Sequence, residues 1–361
     1  MRIAIDASSM ATPRKSGVGV CLSNLLDALA KVDRDNDYTV CYRISRLCHC
    51  RQFRCPRAEN FRVGFVCEPL LFPRSADVFH GGDARLPDYA RIPTTVTVHD
   101  TFSLLRDDLA TEKFREKKHR RYEEIARRAD RVIASSESTR RDLVSQLSIP
   151  AERIVVNHLG VGEQFTPRPD AEVASVCSKY GVSRPYALAV SSFSRRKNVN
   201  LLLETYARLR KARKFESSLV LAGSTEHWQE SHDVLERLGL TDDVILTGYV
   251  PDAELPAIYS GARMLLFPSL CEGFGLPIVE AMACGTPVLT SNISAMPEIV
   301  GDAGLLVDPL DPRDILAKME QLDGDAALRR TLAEKGIERA KLFTWDRAAL
   351  RLVSVWKELA D

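Results

Sequence analysis

The chain lacks a strong charge of one sign and lacks long apolar runs. Its 361 residues carry a net charge of +1 at pH 7, so we expect no overall attraction to nucleic acid or to an anionic membrane. No stretch reaches the roughly 18 apolar residues that a membrane-spanning helix needs. The apolar stretch at the N-terminus is also too short for a secretory signal, and its residues Arg2–Asp6 predict a strand instead.

The cysteines lack the paired spacing of a zinc site. There are nine of them, and the cluster Cys48, Cys50 and Cys55 contains no Cys-x2-Cys unit. An odd number of cysteines without a signal peptide favours reduced thiols, so we expect a cytoplasmic protein without a bound metal. The alternative is a zinc site formed by this cysteine-rich strand and loop.

The first glycine loop lacks one glycine of the dinucleotide-binding fingerprint. A strand, a polar loop over 7–16, Gly17 and Gly19 are followed by a predicted helix over 20–31, and the third glycine is due at Leu22. This order indicates a nucleotide-type fold, but we expect no bound cofactor. The alternative is that the two glycines only form a turn with positive φ.

What the sequence does contain is a glycine loop framed by two glutamates. Apolar residues up to Phe267 predict a buried strand, Pro277 suits a first helical turn, and Gly285 suits a helix end. The segment is therefore strand, loop and helix, with its chemistry-bearing residues at Glu272, Gly273, Phe274, Gly275, Leu276 and Glu280.

This arrangement predicts a site for a phosphate with hydroxyls on both sides. Loop amides and the dipole of the helix favour an anion at its N-terminus. Because like charges repel, Glu272 and Glu280 are expected to bind hydroxyl groups and not the phosphate itself. A ligand with hydroxyls, phosphate and hydroxyls in series is a sugar nucleotide. The alternative is that both glutamates are solvated surface charges.

Three cations follow another predicted strand, Tyr186–Val190, where it passes into a helix. Arginine can clamp a diphosphate bidentately and lysine adds a point charge. We therefore assign Arg196 and Lys197 to the diphosphate, with Arg195 as the second choice for the arginine and a solvated charge run as the alternative. A third strand, Thr94–Val98, ends in His99 and Asp100, at the edge where parallel sheets collect ligands.

The segment from Glu272 to Glu280 resembles the paired-glutamate signature of retaining glycosyltransferases of family 4, which have the GT-B fold. The similarity extends over Pro287–Ser291 and Pro297–Gly304, is strongest over 185–305, and covers nearly the whole chain. It implies two Rossmann-like α/β domains with parallel sheets facing a cleft. Residues 1–165 are expected to bind the acceptor, 173–342 the nucleotide sugar, and the helix over 343–361 to cross back to the first domain.

The resemblance also implies roles for single residues. Arg196 and Lys197 stabilise the departing diphosphate without a metal. Glu272 and His99 hold the donor sugar, although a buried, locally bonded histidine is the alternative for His99. Glu280 binds the ribose. A double-displacement mechanism would need a carboxylate below the anomeric carbon, for which Asp100 and Glu272 are the candidates. Family precedent instead favours attack by the acceptor on the face from which the diphosphate departs. The remaining donor-side positions are Gly17, Gly19, Gly248, Tyr249 and Val250, with a core tyrosine as the alternative for Tyr249.

The predicted function is transfer of a hexose from a nucleoside diphosphate sugar to a hydroxyl of a saccharide or lipid-linked saccharide. Similarity to bacterial polysaccharide mannosyltransferases favours GDP-mannose. The alternatives are a UDP-sugar-dependent transferase, another enzyme of this fold such as a sugar-nucleotide epimerase, and a non-catalytic module that binds sugar nucleotides. Some family members press a basic helix onto the membrane, and 111–131 holds nine Lys or Arg against five acids. We favour a solvated helix face there over peripheral membrane contact.

Overall fold

The computed structural model describes residues 1–12, 16–68, 71–73, 75–87, 92–192, 194–223 and 228–360, and only the backbone of 228–231. These residues form two compact units. Unit 1 comprises Met1–Gly160 and Phe343–Asp361, and unit 2 comprises Val161–Leu342. Each unit is an α/β domain with its own sheet and core.

Unit 1 contains seven strands in the order β3-β2-β1-β4-β5-β6-β7, and each pairing between them is parallel. The strands are β1 (Arg2–Asp6), β2 (Asp37–Arg43), β3 (Phe61–Val66), β4 (Val78–Gly81), β5 (Thr94–Val98), β6 (Arg131–Ala134) and β7 (Ile154–Val156). Between them lie α1 (Gly17–Val32), α2 (Phe102–Leu105), α3 (Glu112–Arg128) and α4 (Glu137–Leu147).

Unit 2 contains six strands in the order β10-β9-β8-β11-β12-β13, again with parallel pairings. The strands are β8 (Tyr186–Val190), β9 (Ser218–Ala222), β10 (Val244–Gly248), β11 (Met264–Phe267), β12 (Val288–Ser291) and β13 (Gly304–Val307). Its helices are α5 (Asp170–Lys179), α6 (Val199–Lys211), α7 (Trp228–Leu238), α8 (Leu255–Gly261), α9 (Leu276–Ala283), α10 (Met296–Val300), α11 (Pro312–Gly324) and α12 (Ala326–Ala340).

Burial on both faces explains why the sequence forms parallel sheets. Every residue of β5 is buried, as is every residue of β11, which is the burial pattern expected when helices cover both sides of a sheet. In unit 2 the apolar stripe of α6 packs on this sheet through Leu202, Leu203 and Tyr206. The predicted fold class, two Rossmann-like domains with parallel sheets, is confirmed.

The last helix, α13 (Trp345–Ala360), belongs to unit 1. The fully buried Trp356 donates its indole N–H to Thr95 Oγ1 at 3.0 Å. His80 Nδ1 lies 2.8 Å from the same hydroxyl. Burial, with a smaller contribution from the charge of His99, lowers the pKa of His80 to about 3, so a neutral imidazole completes this network. The network fixes α13 to the centre of the sheet.

The first glycine loop differs from its prediction. α1 begins at Gly17 and not near Val20, because the Ser16 hydroxyl accepts the Gly19 N–H at 3.0 Å and caps the helix. Neither glycine has a positive φ, so the alternative of a strained turn is wrong. Pro13, Arg14 and Lys15 of the predicted polar loop lie outside the described residues.

Candidate functional site

The sheet order of unit 2 brings two of the predicted loops together. β8 and β11 are neighbours although two strands intervene in the chain, so the order reverses between them. Ligands in such sheets bind at the carboxyl ends of the strands beside this reversal. The 3₁₀ turn Arg195–Lys197 follows β8, and the glycine loop follows β11. The Leu270 N–H donates to the Arg196 carbonyl at 2.8 Å, which joins the two loops directly.

Two cations converge on one buried carboxylate at this point. Arg196 Nη1 lies 2.5 Å from Glu272 Oε2, and Lys197 Nζ lies 2.7 Å from Glu272 Oε1. The side chains of Arg196, Lys197 and Glu272 are only 20%, 12% and 8% exposed. We call these three residues the cation–carboxylate cluster. Arg195, the second choice for the arginine, is exposed.

The environment keeps Glu272 ionised. Burial alone would raise the pKa of Glu272, but the charges and hydrogen bonds of Arg196 and Lys197 outweigh it and hold that pKa below its ordinary value. Arg196 Nη1 also donates to the Cys271 carbonyl at 2.9 Å, and the Lys197 ammonium lies 4.7 Å from the centre of the Phe267 ring. Both cations are therefore held in place without a ligand.

Ser294, which was not among the residues predicted from the sequence, positions the backbone of Glu272. Its hydroxyl accepts the Glu272 N–H at 3.1 Å and donates to the Glu272 carbonyl at 2.6 Å. Ser294 has a φ of +59°, an unfavourable value for a residue with a side chain. Ser294 follows β12, the strand beside β11, so its place after a neighbouring strand was the signal that could have identified it.

The glycine loop leads directly into the N-terminus of α9. Gly275 adopts a φ of +103° as the residue preceding the helix, a conformation that disfavours any side chain there. Phe274 is buried, 4% exposed, and anchors the loop. Pro277 lies in the first turn, and Gly285, with a φ of +73°, follows the end of the helix. The loop and helix start therefore present backbone amides and the positive end of the helix dipole.

Glu280 lies on the same helix, in contact with a buried tyrosine of α8. The Tyr259 hydroxyl donates to Glu280 Oε2 at 2.7 Å. Burial raises the pKa of Glu280 to about 7; the Asp252 charge adds to this effect, while the Tyr259 hydrogen bond and the Lys197 charge oppose it. Glu280 is thus a half-buried carboxyl group that changes charge near neutral pH.

The β10 loop is a separate part of unit 2. Gly248 has a φ of +67°, Val250 is buried, and Tyr249 is 60% exposed. The alternative that Tyr249 is a core residue is therefore wrong. β10 is the edge strand of the sheet, so Tyr249 lies at the carboxyl edge without contributing to the core.

The remaining predicted residues, Gly17, Gly19, His99 and Asp100, belong to unit 1. His99 is half-buried at the end of β5, where its Nε2–H donates to the Gly82 carbonyl at 3.1 Å. The Asp100 carbonyl accepts the Tyr122 hydroxyl at 2.8 Å. These contacts orient the His99 ring and fix the backbone after β5, and they leave the predicted donor-side roles of both residues as predictions.

No group of three or more His, Cys, Asp or Glu side chains among the described residues is arranged to hold a metal ion. None of the nine cysteines, all of which lie in the described ranges, forms a disulfide. In the same part of the chain, no helix is both long and apolar enough to cross a membrane.

Comparison with known proteins identifies the family. "Glycosyl transferases group 1" matches residues 179–339, and "Glycosyltransferase Family 4" matches residues 15–165. The O-antigen chain mannosyltransferase B of Escherichia coli is 34% identical over 292 residues, which cover 78% of this chain and 74% of that protein. The chain is a family 4 glycosyltransferase. It is therefore a transferase, and the epimerase and the non-catalytic module are not favoured.

Two further comparisons concern a longer relative and the fold. The glycosyltransferase is 31% identical over 263 residues to the serotype-specific mannosyltransferase WbdA of Escherichia coli, and the match covers 71% of this chain but 32% of WbdA. The chain thus spans about a third of the length of WbdA. The structure of Anabaena Alr3699/HepE in complex with UDP and glucose superimposes with a TM-score of 0.79 at 19% identity, covering 99% of this chain and 100% of HepE. The fold is GT-B.

Proposed function

We propose that this glycosyltransferase moves a mannosyl residue from GDP-mannose to a hydroxyl of a saccharide or lipid-linked saccharide, with retention of configuration. The observation that carries the donor-site assignment is the cation–carboxylate cluster beside the N-terminus of α9. The two mannosyltransferases reported above support mannose as the sugar. The second candidate is a UDP-hexose, because HepE, which has the same fold, is known in complex with UDP and glucose.

In the proposed mechanism, Arg196 and Lys197 stabilise the negative charge that develops on the departing diphosphate. Their positive charges take the place of a metal ion. Both cations are already held by Glu272, at 2.5 and 2.7 Å, so little reorganisation is needed when the donor binds. Amides at the start of α9 add further donors for the same phosphates.

Glu272 and Glu280 bind hydroxyl groups on either side of the diphosphate. Glu272, kept ionised by its two cations, accepts hydrogen bonds from the sugar, and Glu280 accepts them from the ribose. His99 supports the sugar, as the family resemblance predicts. The acceptor hydroxyl attacks the anomeric carbon from the face that the diphosphate leaves, and a diphosphate oxygen takes its proton.

The acceptor is proposed to bind to unit 1. We favour a solvated face for α3; the alternative for a lipid-linked acceptor is peripheral membrane contact through this helix, where Phe114 is 40% exposed next to Lys118. Tyr122 and Ile125 lie on the same face of this helix and are buried.

The direct test is hydrolysis of the donor without an acceptor. The unsubstituted enzyme should slowly release mannose and GDP from GDP-mannose, and Glu272→Ala or Lys197→Ala should abolish this release while the protein stays folded. Arg313→Ala is the matched control, because Arg313 is a 90% exposed arginine of the same unit that has no assigned role in donor binding. Wild-type turnover in both the Glu272 and the Lys197 variant would refute the assignment.

A thermal-shift panel with GDP, UDP and their sugars tests the base. A ligand present at about 100 times its Kd stabilises the folded protein by about 2.7 kcal/mol. Stabilisation by GDP and GDP-mannose but not by UDP and UDP-glucose is expected. The reverse order would replace the mannose assignment by the UDP-hexose alternative.

A further inference from the structure

A second cationic depression lies at the opposite edge of the sheet in unit 2. Its lining comes from the segments that precede β8, β11 and β12, together with α12. Since the strands are parallel, these segments meet at the amino edge, away from the cation–carboxylate cluster. The depression has a volume of about 520 Å³, within the range of roughly 300–1,000 Å³ for small-molecule sites. It is lined by Arg184, Pro185, Gly261, Ala262, Arg263, Gly285, Pro287, Arg329, Arg330 and Ala333.

Four of the ten lining residues are arginines and none is acidic. We call these four the arginine pocket: Arg184 before β8, Arg263 before β11, and Arg329 and Arg330 on α12. An arginine fork matches the geometry of phosphate oxygens, and several forks in one concave surface suit an anion that carries more than one charge.

Two of these arginines are held by the protein through one nitrogen each. Arg329 Nη1 donates to the carbonyls of Leu322 and Asp323, the former at 2.7 Å. Arg263 Nη1 lies 3.1 Å from Asp323 Oδ1 and 3.3 Å from Glu216 Oε2. Within the described part of the chain, the Nε and Nη2 groups of both side chains have no hydrogen-bond partner. Each guanidinium is therefore fixed in place with donors left over for a ligand.

The other two arginines are exposed at the rim. Arg184 Nη1 pairs with Asp170, whose side chain is 91% exposed, and an exposed pair of this kind is easily exchanged for a ligand. Arg330 is exposed, and no partner for it exists among the described residues. At the rim, a ligand can therefore replace Asp170 as the partner of Arg184 and can bind Arg330 directly.

The acidic side chains near these arginines lie outside the lining of the pocket. Asp323, Glu216, Asp170 and Asp325 lie near the arginines but are absent from the lining. Burial, and secondly the charge of Arg263, lowers the pKa of Arg329. The two guanidiniums therefore repel each other, and an anion bound beside them relieves that repulsion.

The rest of the lining carries no side-chain donor, because it consists of two prolines, two glycines and two alanines. Recognition in this pocket consequently depends on the guanidinium groups, which select for charge and for planar pairs of oxygens.

We propose that the arginine pocket binds an anion bearing phosphate groups, of about the size of a diphosphate, as a second site distinct from the donor site. The strands that separate the two edges hold four or five residues, so the sites lie about 15 Å apart at about 3.3 Å per residue. The ligand comes either from solution or from the head group of an anionic lipid, and both sources present the same chemistry to the arginines.

The test is calorimetric titration with inorganic diphosphate at low salt and without divalent cations. Each titration is made in the unsubstituted chain and in the Lys197→Ala background, which separates binding at the arginine pocket from binding at the donor site. The double variant Arg184→Ala/Arg330→Ala should weaken binding at the pocket about tenfold or more, because two charge-assisted contacts are lost. Arg184→Lys/Arg330→Lys should give an intermediate affinity, because the charge remains and the fork is lost.

Arg313→Ala is the matched control, since Arg313 is a 90% exposed arginine of the same unit outside the pocket. Co-sedimentation with vesicles of phosphatidylglycerol or of phosphatidylcholine identifies the source of the ligand. If the double variant loses affinity for phosphatidylglycerol vesicles as well as for diphosphate, the ligand is a lipid head group. If it loses affinity for diphosphate but not for the vesicles, the ligand is a soluble anion. Equal affinities of the double variant and Arg313→Ala for both probes would overturn the proposal.

Discussion

Donor affinity should depend on pH through Glu280, the carboxylate that we propose for the ribose. Glu280 is half-buried, contacts the Tyr259 hydroxyl at 2.7 Å, and has a pKa raised to about 7. Ionised, its carboxylate accepts two hydrogen bonds from the ribose hydroxyls; protonated, it loses much of this capacity. Binding of the nucleotide sugar therefore favours the ionised form, and affinity should fall as the pH decreases.

The magnitude follows from the pKa. With a value of about 7, the ionised fraction of Glu280 falls from about nine tenths at pH 8 to about one tenth at pH 6. If the donor binds only the ionised form, its Kd rises about tenfold over this interval. The same linkage requires that donor binding at pH 7 releases about half a proton for each site.

Isothermal titration of the nucleotide sugar in buffers of different ionisation enthalpy measures both quantities. The intact nucleotide sugar is the right ligand, because its diphosphate is esterified at both ends and does not titrate near neutral pH. Glu280→Gln should bind more weakly, lose the proton release, and retain only the pH dependence of other groups. Tyr259→Phe removes a hydrogen bond that lowers the Glu280 pKa, so the fall in affinity should move about one unit higher in pH.

Tyr206→Phe is the control for a buried tyrosine that loses its hydroxyl. In the same unit, the Tyr206 hydroxyl lies within hydrogen-bond distance of two backbone carbonyls, those of Ser217 at 3.4 Å and Asp243 at 3.2 Å. This variant should lose a similar amount of stability and keep the wild-type pH profile. A donor Kd that is constant from pH 6 to pH 8 in the unsubstituted enzyme, with no proton release, would refute the reasoning.

The ligand-free protein should show the opposite sign in its stability. Because the pKa of Glu280 is higher in the folded state than its ordinary value of 4.5, the folded state binds more protons between these two values. The contribution of Glu280 to the free energy of unfolding is therefore most favourable below pH 4.5, and it falls by about 3 kcal/mol as the pH rises to about 7. Glu280→Gln should remove this slope from urea unfolding curves.

Two further predictions concern stability. Ser294→Ala should destabilise unit 2 by about 1–2 kcal/mol, because both hydrogen bonds to Glu272 are lost. Ser294→Gly should lower the free energy of unfolding by less, because glycine tolerates the φ of +59°. Equal losses for the two variants in urea unfolding would contradict a role for backbone strain. Trp356→Phe should lower the free energy of unfolding by about 1 kcal/mol more than Trp345→Phe does. The Trp356 indole N–H is hydrogen-bonded to Thr95, whereas the Trp345 indole N–H is buried without a partner among the described residues. Unfolding followed by circular dichroism compares the two variants, and a larger loss for Trp345→Phe would count against this account.

The sequence predicted those parts of the fold that depend on local patterns. The β-branched run of β5 and the apolar run of β11 indicated strands, and all of their residues are buried. Pro277 and Gly285 marked the start and the end of α9. The start of α1 was predicted near Val20 and lies at Gly17, because Ser16 caps the helix where the glycines suggested a turn. A cap and a turn both suit this composition, and only the backbone conformation separates them.

The candidate site was predictable where its residues follow strands, and less so where contacts are long-range. Arg196, Lys197 and Glu272 follow strands that become neighbours at the reversal of sheet order, so strand ends alone indicated that they could meet. Their direct pairing, and the contact between Ser294 and Glu272, depend on three-dimensional packing between distant segments. The raised pKa of Glu280 could not be predicted from the sequence either, because it arises from the burial of this carboxyl group in the folded structure.

The choice between guanine and uracil cannot come from the cation–carboxylate cluster. The diphosphate is the same in both kinds of donor, and so is the ribose that we assign to Glu280, so neither Arg196 nor Lys197 can distinguish them. Discrimination requires contacts with the base itself. The predicted donor-side segment that remains for this role is the loop after β10, where Gly248 has a positive φ and Tyr249 is 60% exposed. An exposed aromatic ring can stack on either base, so selectivity must depend on the backbone groups beside Tyr249, and a Tyr249 substitution should change affinity for both donors more than it changes their ratio.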